Sequence, residues 1–348
     1  MKVALLREAT ARLLPAIDSK GIVKEFTYFY FNGDCVEATN GSLLIRSFLS
    51  EKSPVFAVEA LTFYSLLKSL PDEDVEIIVN EKTVELKTKT VKSELTLPGT
   101  PAKSTIDFNI EAWGEVPGDL IHALGMCRYT ACPDQTAGSL TGVRIEGDVV
   151  LSCDRWRISI FNLAKATGMS GATLPVDLID ELTRFAKTIN GWAIKGNTIY
   201  FRMEKAIMGA QLLGGDFPTV KLLDAIAMTE SSMELKLSKD IKAKIADASA
   251  RQNIIQEKIM EYDRQSKFTF ENNKVILFAL NEAVGKIEEE IACPDSPKAA
   301  FTFYVNPVFL LKMFEETDQL TYSAEHSVAS FLGPQFVHMV KTKAPAAA

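Results

Sequence analysis

The chain has 348 residues, 47% of them apolar and 24% charged, with a formal net charge of -7 and a pI near 5.3. That is the balance of ordinary globular proteins with material for roughly two or three domains. The acidic total gives no general attraction for nucleic acid, so any such binding has to come from local clusters of basic residues.

The N-terminal stretch MKVALLREATARLLPAI carries Arg7, Glu8 and Arg12 inside its apolar run, which breaks a signal-peptide core. It has a helical face made of Leu5, Leu6, Leu13 and Ile17. A β-rich run over Phe26–Phe31 follows, then a hairpin turn at Asn32-Gly33-Asp34, the strand VEATN and the strand SLLIRSFL. After Pro54, FAVEALTFYSLLKSLP reads as a short strand leading into a helix that stops before Pro71. VEIIVNEKTVELKTK and SELTLPG close this part as alternating strands. The middle of the chain repeats the order: helical GDLIHALGMCRYTAC, a hairpin in LTGVRIEGDVVLSCD turning at Gly147-Asp148, RISIFNL, the strand–helix piece ATLPVDLIDELTRFAKTI, a hairpin turning at Gly196-Asn197, and AIMGAQLL. The last part does so again, with the helix SKDIKAKIADASARQNIIQEKIM and a hairpin at Asn272-Asn273. The charged strand KIEEEI, the strand–helix piece FTFYVNPVFLLKMFEE and two closing strands complete it.

Three copies of one unit are therefore expected, at 1–107, 108–231 and 232–348, with joints near Asp107 and Ser231. Each copy has two helices and roughly six to eight strands, so the fold class is α+β. The second joint is the stretch LLGGDFPTVKLL. Its glycine pair allows positive φ, and Pro218 holds Phe217 extended, so the chain is expected to turn sharply and run extended across its neighbours. The five cysteines, Cys35, Cys127, Cys132, Cys153 and Cys293, are scattered without a C-x-x-C pair. This argues against a disulfide framework or zinc site and fits a reducing cytoplasm. No apolar run of about 18 residues is present to span a membrane.

A threefold repeat with these joints resembles the bacterial-type DNA sliding clamp, the β subunit and processivity factor of the replicative DNA polymerase. FAVEALTFYSLLKSLP, LTGVRIEGDVVLSCDRWRISIFNL and LLGGDFPTVKLL carry the likeness, which extends over essentially the whole chain. The resemblance implies a head-to-tail homodimer closing into a ring of six clamp domains around duplex DNA, with helices lining the hole. It implies no catalysis and no cofactor, and partners, including DNA polymerase and clamp-loader subunits, that dock through short linear peptides. The peptide pocket of the family, carried over residue by residue, falls on Leu140, Cys153, Asp154, Arg155, Trp156, Arg157, Ile158, Pro218, Leu222, Leu223, Val337, His338, Met339 and Val340. Arg155-Trp156 replaces the usual Gly-His, and MVKTKAPAAA replaces the usual Met-Pro-Met-Arg-Leu ending. These departures fit a distant member, for example a phage-encoded one.

Sequence-independent DNA contact would come from basic residues meeting phosphates. Candidates are Arg7, Arg12, Lys20, Lys24, Lys68, Arg128, Arg184, Lys242, Lys244, Arg251 and Lys312. Val176-Asp177 stands where members often carry Arg-Lys, which weakens the middle copy's share. Ile254 and Ile255 match the family's apolar pair at the dimer interface. His122, His326 and His338 have no metal-ligand spacing, and phosphate-loop and nucleophile-elbow motifs are missing. A monomeric or filament-forming β-rich interaction module that never encircles DNA is the competing reading. A hydrolase using Asp154 and Asp216 is a poorer one, since no paired acid–base arrangement surrounds either residue.

Overall fold

The structure, a computed structural model, describes residues 1–98, 107–229, 233–259, 264–294, 296 and 300–343. Among these the chain packs as two compact units. The first contains Met1–His122 and Ala172–Leu213, the second Ala123–Gly171 and Gly214–Ala348. The expected middle copy, 108–231, is thus divided between the units, and the expected joint residue Ser231 lies outside the described residues.

In chain order the first third holds α1 (Val3–Ala11), β1 (Tyr28–Phe31), β2 (Cys35–Thr39), β3 (Leu43–Phe48), β4 (Phe56–Glu59), α2 (Ala60–Ser69), β5 (Glu76–Val79), β6 (Thr83–Lys87) and β7 (Lys92–Thr96). The middle third holds α3 (Leu120–Arg128), β8 (Gly142–Glu146), β9 (Val149–Cys153), β10 (Arg157–Asn162), β11 (Ser170–Pro175), α4 (Val176–Arg184), β12 (Ile189–Lys195), β13 (Thr198–Met203) and β14 (Ala206–Gln211). A short helix, α5 (Thr219–Asp224), and β15 (Met233–Lys236) lead into the last third. That contains α6 (Lys239–Ile255), β16 (Ser266–Glu271), β17 (Lys274–Asn281), β18 (Gly285–Ala292), β19 (Phe301–Val305), α7 (Pro307–Glu316), β20 (Gln319–Ser323), β21 (Val328–Leu332) and β22 (Phe336–Lys341).

Each third builds a four-strand group and a three-strand group, and the groups are then exchanged. The last strand of the middle third, β14, pairs antiparallel with β3 of the first, giving the order β12-β13-β14-β3-β2-β1-β4. In the same way β22 pairs with β10, giving β11-β8-β9-β10-β22-β21-β20-β15. The two remaining groups, β5-β6-β7 and β18-β17-β16-β19, stand as separate sheets among the described residues.

Local chemistry accounts for the recurrent strand–helix pieces. Glu59 caps α2 by accepting hydrogen bonds from the N–H groups of Leu61 (3.3 Å) and Thr62 (2.6 Å). Ala60, Phe63 and Leu67 then bury one face of the helix. Phe63 packs edge-on against Phe29 and Phe31 of β1, with ring centroids 6.4 and 5.4 Å apart. Asn306 caps α7 on the N–H of Val308 at 3.0 Å, and Pro307 takes the first helical position, where a missing N–H costs nothing. In the last third, Phe268, Phe270, Phe301, Phe303 and Tyr322 form a buried stacked-ring core. The Asn272-Asn273 hairpin has φ of 46° and 64°, the two successive positive angles that a type I′ turn requires.

The second joint corrects the expectation of an extended crossing. Gly215, at φ 104°, turns the chain, and Ser139 pins the turn by donating from Oγ to the carbonyl of Asp216 at 2.7 Å. Beyond Pro218 the chain forms α5 and a further 3₁₀ turn over Ala225–Thr229 instead of a strand. The missing N–H of proline is harmless at a helix start, and Leu222 and Ala225 bury their side chains by coiling.

Candidate functional site

The pairing of β10 with β22 sets the site. Its register places Ile158 opposite Met339 and Ile160 opposite Val337, while Arg157 meets Val340 and Ser159 meets His338. Side chains alternate across a sheet, so Ile158, Ile160, Val337 and Met339 share one face and Arg157, Ser159, His338 and Val340 the other. On the first face α5 and the following turn lie over the strands. Leu222 and Ala225 are buried with Leu151, Cys153, Ile160, Val328 and Met339, and Leu140, Phe217, Ile158 and Val337 pack partly buried against them. A groove of about 320 Å³ remains open beside this cluster, its apolar lining made by Trp156, Ile158, Leu222, Ala225, Val328 and Met339.

The loop that forms one wall is held by Asp154. Its Oδ1 accepts hydrogen bonds from the N–H groups of Trp156 and Arg157, both at 2.7 Å. Its Oδ2 accepts from Nε (2.9 Å) and Nη2 (2.6 Å) of Arg157. The Asp154 side chain is 1% exposed and that of Arg157 7%. The guanidinium also lies 4.0 Å from the ring centre of Phe309 and 4.9 Å from that of Tyr129. This pair shapes the turn and anchors β10.

The opposite face carries a buried hydroxyl network. Thr130 Oγ1 donates to Ser159 Oγ at 2.8 Å and contacts Ser152 Oγ, and Ser159 Oγ lies 2.5 Å from Nδ1 of His338. Burial, reinforced by the Arg157 charge, pushes the His338 imidazole down to about 3, so it is neutral at ordinary pH. A serine beside a histidine has the form of a nucleophile–base pair, but Ser159 and His338 are 0% and 1% exposed and no substrate reaches them.

Seven of the fourteen expected pocket residues line the groove: Asp154, Arg155, Trp156, Arg157, Ile158, Leu222 and Met339. Leu140, Cys153 and Val337 lie in the apolar cluster beneath it. Pro218 sits at the N-terminus of α5, Leu223 is exposed outside the lining, and His338 and Val340 belong to the other face. Sequence reasoning missed Ala225, His326, Val328 and Lys341. The signal for Val328 and Lys341 was the period-two pattern of β21 and β22, where they are direct partners.

Most of the expected phosphate-binding cations are engaged within the protein. Arg7 pairs with Asp72 at 2.8 Å, Arg12 with Glu8, Arg184 with Glu181 at 2.8 Å, Lys244 with Asp240 at 2.7 Å and Arg251 with Glu289 at 2.5 Å. Lys242 donates from Nζ to the carbonyl of Thr317 at 2.9 Å. Lys68 lies 5.9 Å from the ring centre of Tyr64, and Arg128 is exposed on the last turn of α3. The side chain of Lys312 lies outside the described residues. Lys20 and Lys24 are exposed and make no ion pair among the described residues. They flank a loop whose Lys20, Ile22 and Val23 N–H groups all donate to the Asp18 carboxylate at 2.8 to 3.3 Å. At the end of α6, Ile254 is 66% exposed and Ile255 half-buried.

No group of three or more potential metal ligands occurs among the described residues, and no helix there is long and apolar enough to cross a membrane. All five cysteines are free and buried.

No family model matches the chain, and no curated protein matches it. Solved structures do. The sliding clamp (DNA polymerase III subunit beta) of Bartonella birtlesii, bound to griselimycin, is 16% identical, with 99% of each chain covered and a TM-score of 0.83. The DNA polymerase III subunit beta of Pseudomonas aeruginosa (15% identity, TM-score 0.82) and the DNA polymerase beta subunit of Streptococcus pyogenes (16% identity, TM-score 0.82) match over 99% of each chain as well. Over 99% of its length, the chain has the fold of the DNA polymerase III β-subunit sliding clamps.

Proposed function

We propose that this protein is a DNA sliding clamp: two copies close head-to-tail around duplex DNA, and the groove between α5 and β22 docks short peptides of a DNA polymerase and of clamp-loader subunits. Its role is to tether, without catalysis or cofactor, in the cytoplasm. The carrying observation is the likeness over 99% of the chain to DNA polymerase III β subunits, with TM-scores near 0.82. On this reading the three repeats, 1–107, 108–231 and 232–348, are three clamp domains.

The exchange of strand groups supports the ring. A three-strand group joins a four-strand group at β14–β3 and again at β22–β10. Under the same rule β7 belongs beside a β18, and each is the unpaired end of its own sheet among the described residues. A second chain supplies both missing neighbours, one at each end, which closes with twofold symmetry. Part of the charge agrees: Lys87 and Lys89, on or beside β6, and Glu288 on β18 form no ion pair among the described residues. The exposed Ile254 fits the same contact.

Light scattering at low micromolar concentration tests the assembly. A mass of 76.8 kDa, twice the 38.4 kDa of one chain, followed by retention on circular but not linearised DNA, is the expected result. A single-chain mass persisting at high concentration favours the monomeric interaction module.

A further inference from the structure

The charges on the groove do not balance one another. Among the residues that line it, Asp154 is the one carboxylate, and Arg157 with two backbone N–H groups occupies both of its oxygens. Arg155 and Lys341 also line the groove, are exposed, and form no ion pair among the described residues. Asp134 acts on Arg155 through space, but its carboxylate already accepts from the N–H and hydroxyl of Thr136 at 2.9 and 2.7 Å. The N–H of Lys341 donates to the carbonyl of Trp156 at 2.7 Å, so both cations stand at the end of the groove where β10 begins. A third, Lys343, holds its ammonium 5.9 Å from the Trp156 ring centre. Away from that end the lining is Ile158, Met339, Val328, Leu222 and Ala225, and Val220 on α5 is 72% exposed.

We infer that the groove selects an extended peptide whose apolar anchors are followed or preceded, on one side, by aspartate or glutamate. This rests on reading the groove as a peptide-docking site. The cations come from Arg155 and from the Lys341–Lys343 tail. Charge complementarity selects an acidic partner, and an apolar floor that a phosphate backbone would leave uncovered selects a protein segment over nucleic acid.

Fluorescence anisotropy on the full chain tests this with labelled synthetic peptides. One carries a Leu-x-x-Phe core flanked by two acidic residues, and its control has the matching Asn and Gln. The acidic peptide is expected to bind about tenfold more tightly at roughly 50 mM salt, with the advantage shrinking towards parity at about 500 mM. Replacing Arg155, Lys341 and Lys343 together with Gln should bring the two peptides to equal affinity. Equal affinities for the two peptides in the unaltered protein would overturn the acidic preference while keeping the docking site. Binding of neither peptide would overturn the docking site itself. Displacement of the bound peptide by a single-stranded oligonucleotide at equal concentration would overturn the choice of a protein partner.

Discussion

The Oγ of Ser159 lies 2.5 Å from Nδ1 of His338, a contact between residues 179 positions apart in the chain. It belongs to the buried face of the β10–β22 pair and gives that face a pH signature. Folded, His338 is held down to about 3 by burial, with the Arg157 charge adding to it. Unfolded, it titrates near 6.5. Between those values the unfolded chain binds a proton that the native protein does not. The contribution is therefore complete above pH 6.5 and is lost as pH falls towards 3, by about 1.4 kcal/mol per pH unit. From pH 6.5 to 5 that amounts to roughly 2 kcal/mol. Urea unfolding of the protein and of His338→Gln at pH 7.5, 6 and 5 should show the variant with the flatter profile. Parallel profiles would mean that the imidazole is charged in the folded state.

Asp154→Asn leaves the Arg157 guanidinium buried without its counter-charge. Removing one partner of a buried pair costs about 3–5 kcal/mol. Adding Arg157→Met to Asp154→Asn should restore much of the loss, because no unpaired charge then remains beside Phe309 and Tyr129. Thermal unfolding of the single and double variants decides this; a double variant as unstable as the single one would rule out the unpaired charge as the cause.

The local parts of this architecture were legible in the residues, and the long-range parts only partly. Asn272-Asn273, Gly147 and Gly33 announce hairpins because those positions take positive φ. The helices of FAVEALTFYSLLKSLP and FTFYVNPVFLLKMFEE were legible as strand–helix pieces, whereas their caps, Glu59 and Asn306, emerge only in the structure. The groove's location followed from the joint and the loop after β9. Its exact lining did not, because it depends on the register of two strands drawn from different thirds. Of the stretch Val337 to Val340, strand alternation turns Val337 and Met339 to the groove side and His338 and Val340 to the opposite face. The period-two pattern sets Val328 of β21 opposite Lys341 of β22, but neither that pattern nor His326 in the β20–β21 turn points to β10. The helix after Pro218 was missed because proline reads as an extended-chain signal for its predecessor and as a helix starter for its successors.

Within the groove, Ile158→Asp should weaken binding of a Leu- and Phe-anchored peptide at least tenfold, since it places a charge against the buried apolar floor. Leu223→Asp, on the outer side of α5, should change the affinity less than twofold. Isothermal titration with one peptide measures both; equal losses would mean that the partner covers the whole helix.

For DNA, ion pairing within the protein separates the candidates. Replacing Lys20, Lys24 and Lys68 with alanine should flatten the salt dependence of DNA association by up to three phosphate contacts. Replacing Arg7, Arg184 and Lys244, each already beside a carboxylate, should flatten it less. The slope of log affinity against log salt is the measurement, and the reverse ranking would show that the helix pairs open on DNA.

Ile254→Asp adds a charge to an exposed side chain, so thermal stability of the single chain should stay within a few degrees. The solution mass should nevertheless fall from 76.8 kDa to 38.4 kDa. An unchanged mass would move the contact away from the end of α6.

The exchange of strands between thirds has a consequence during synthesis. β10 leaves the ribosome long before β22 exists, and until then its outer edge has no native partner. At translation speeds of roughly 5 to 20 residues per second, the 179 positions between Ser159 and His338 leave that edge open for about 10 to 35 seconds. During this interval the unpaired N–H and C=O groups along that edge are a template for any passing strand. The nascent chain is thus open to misassembly at a strand that later lines the groove.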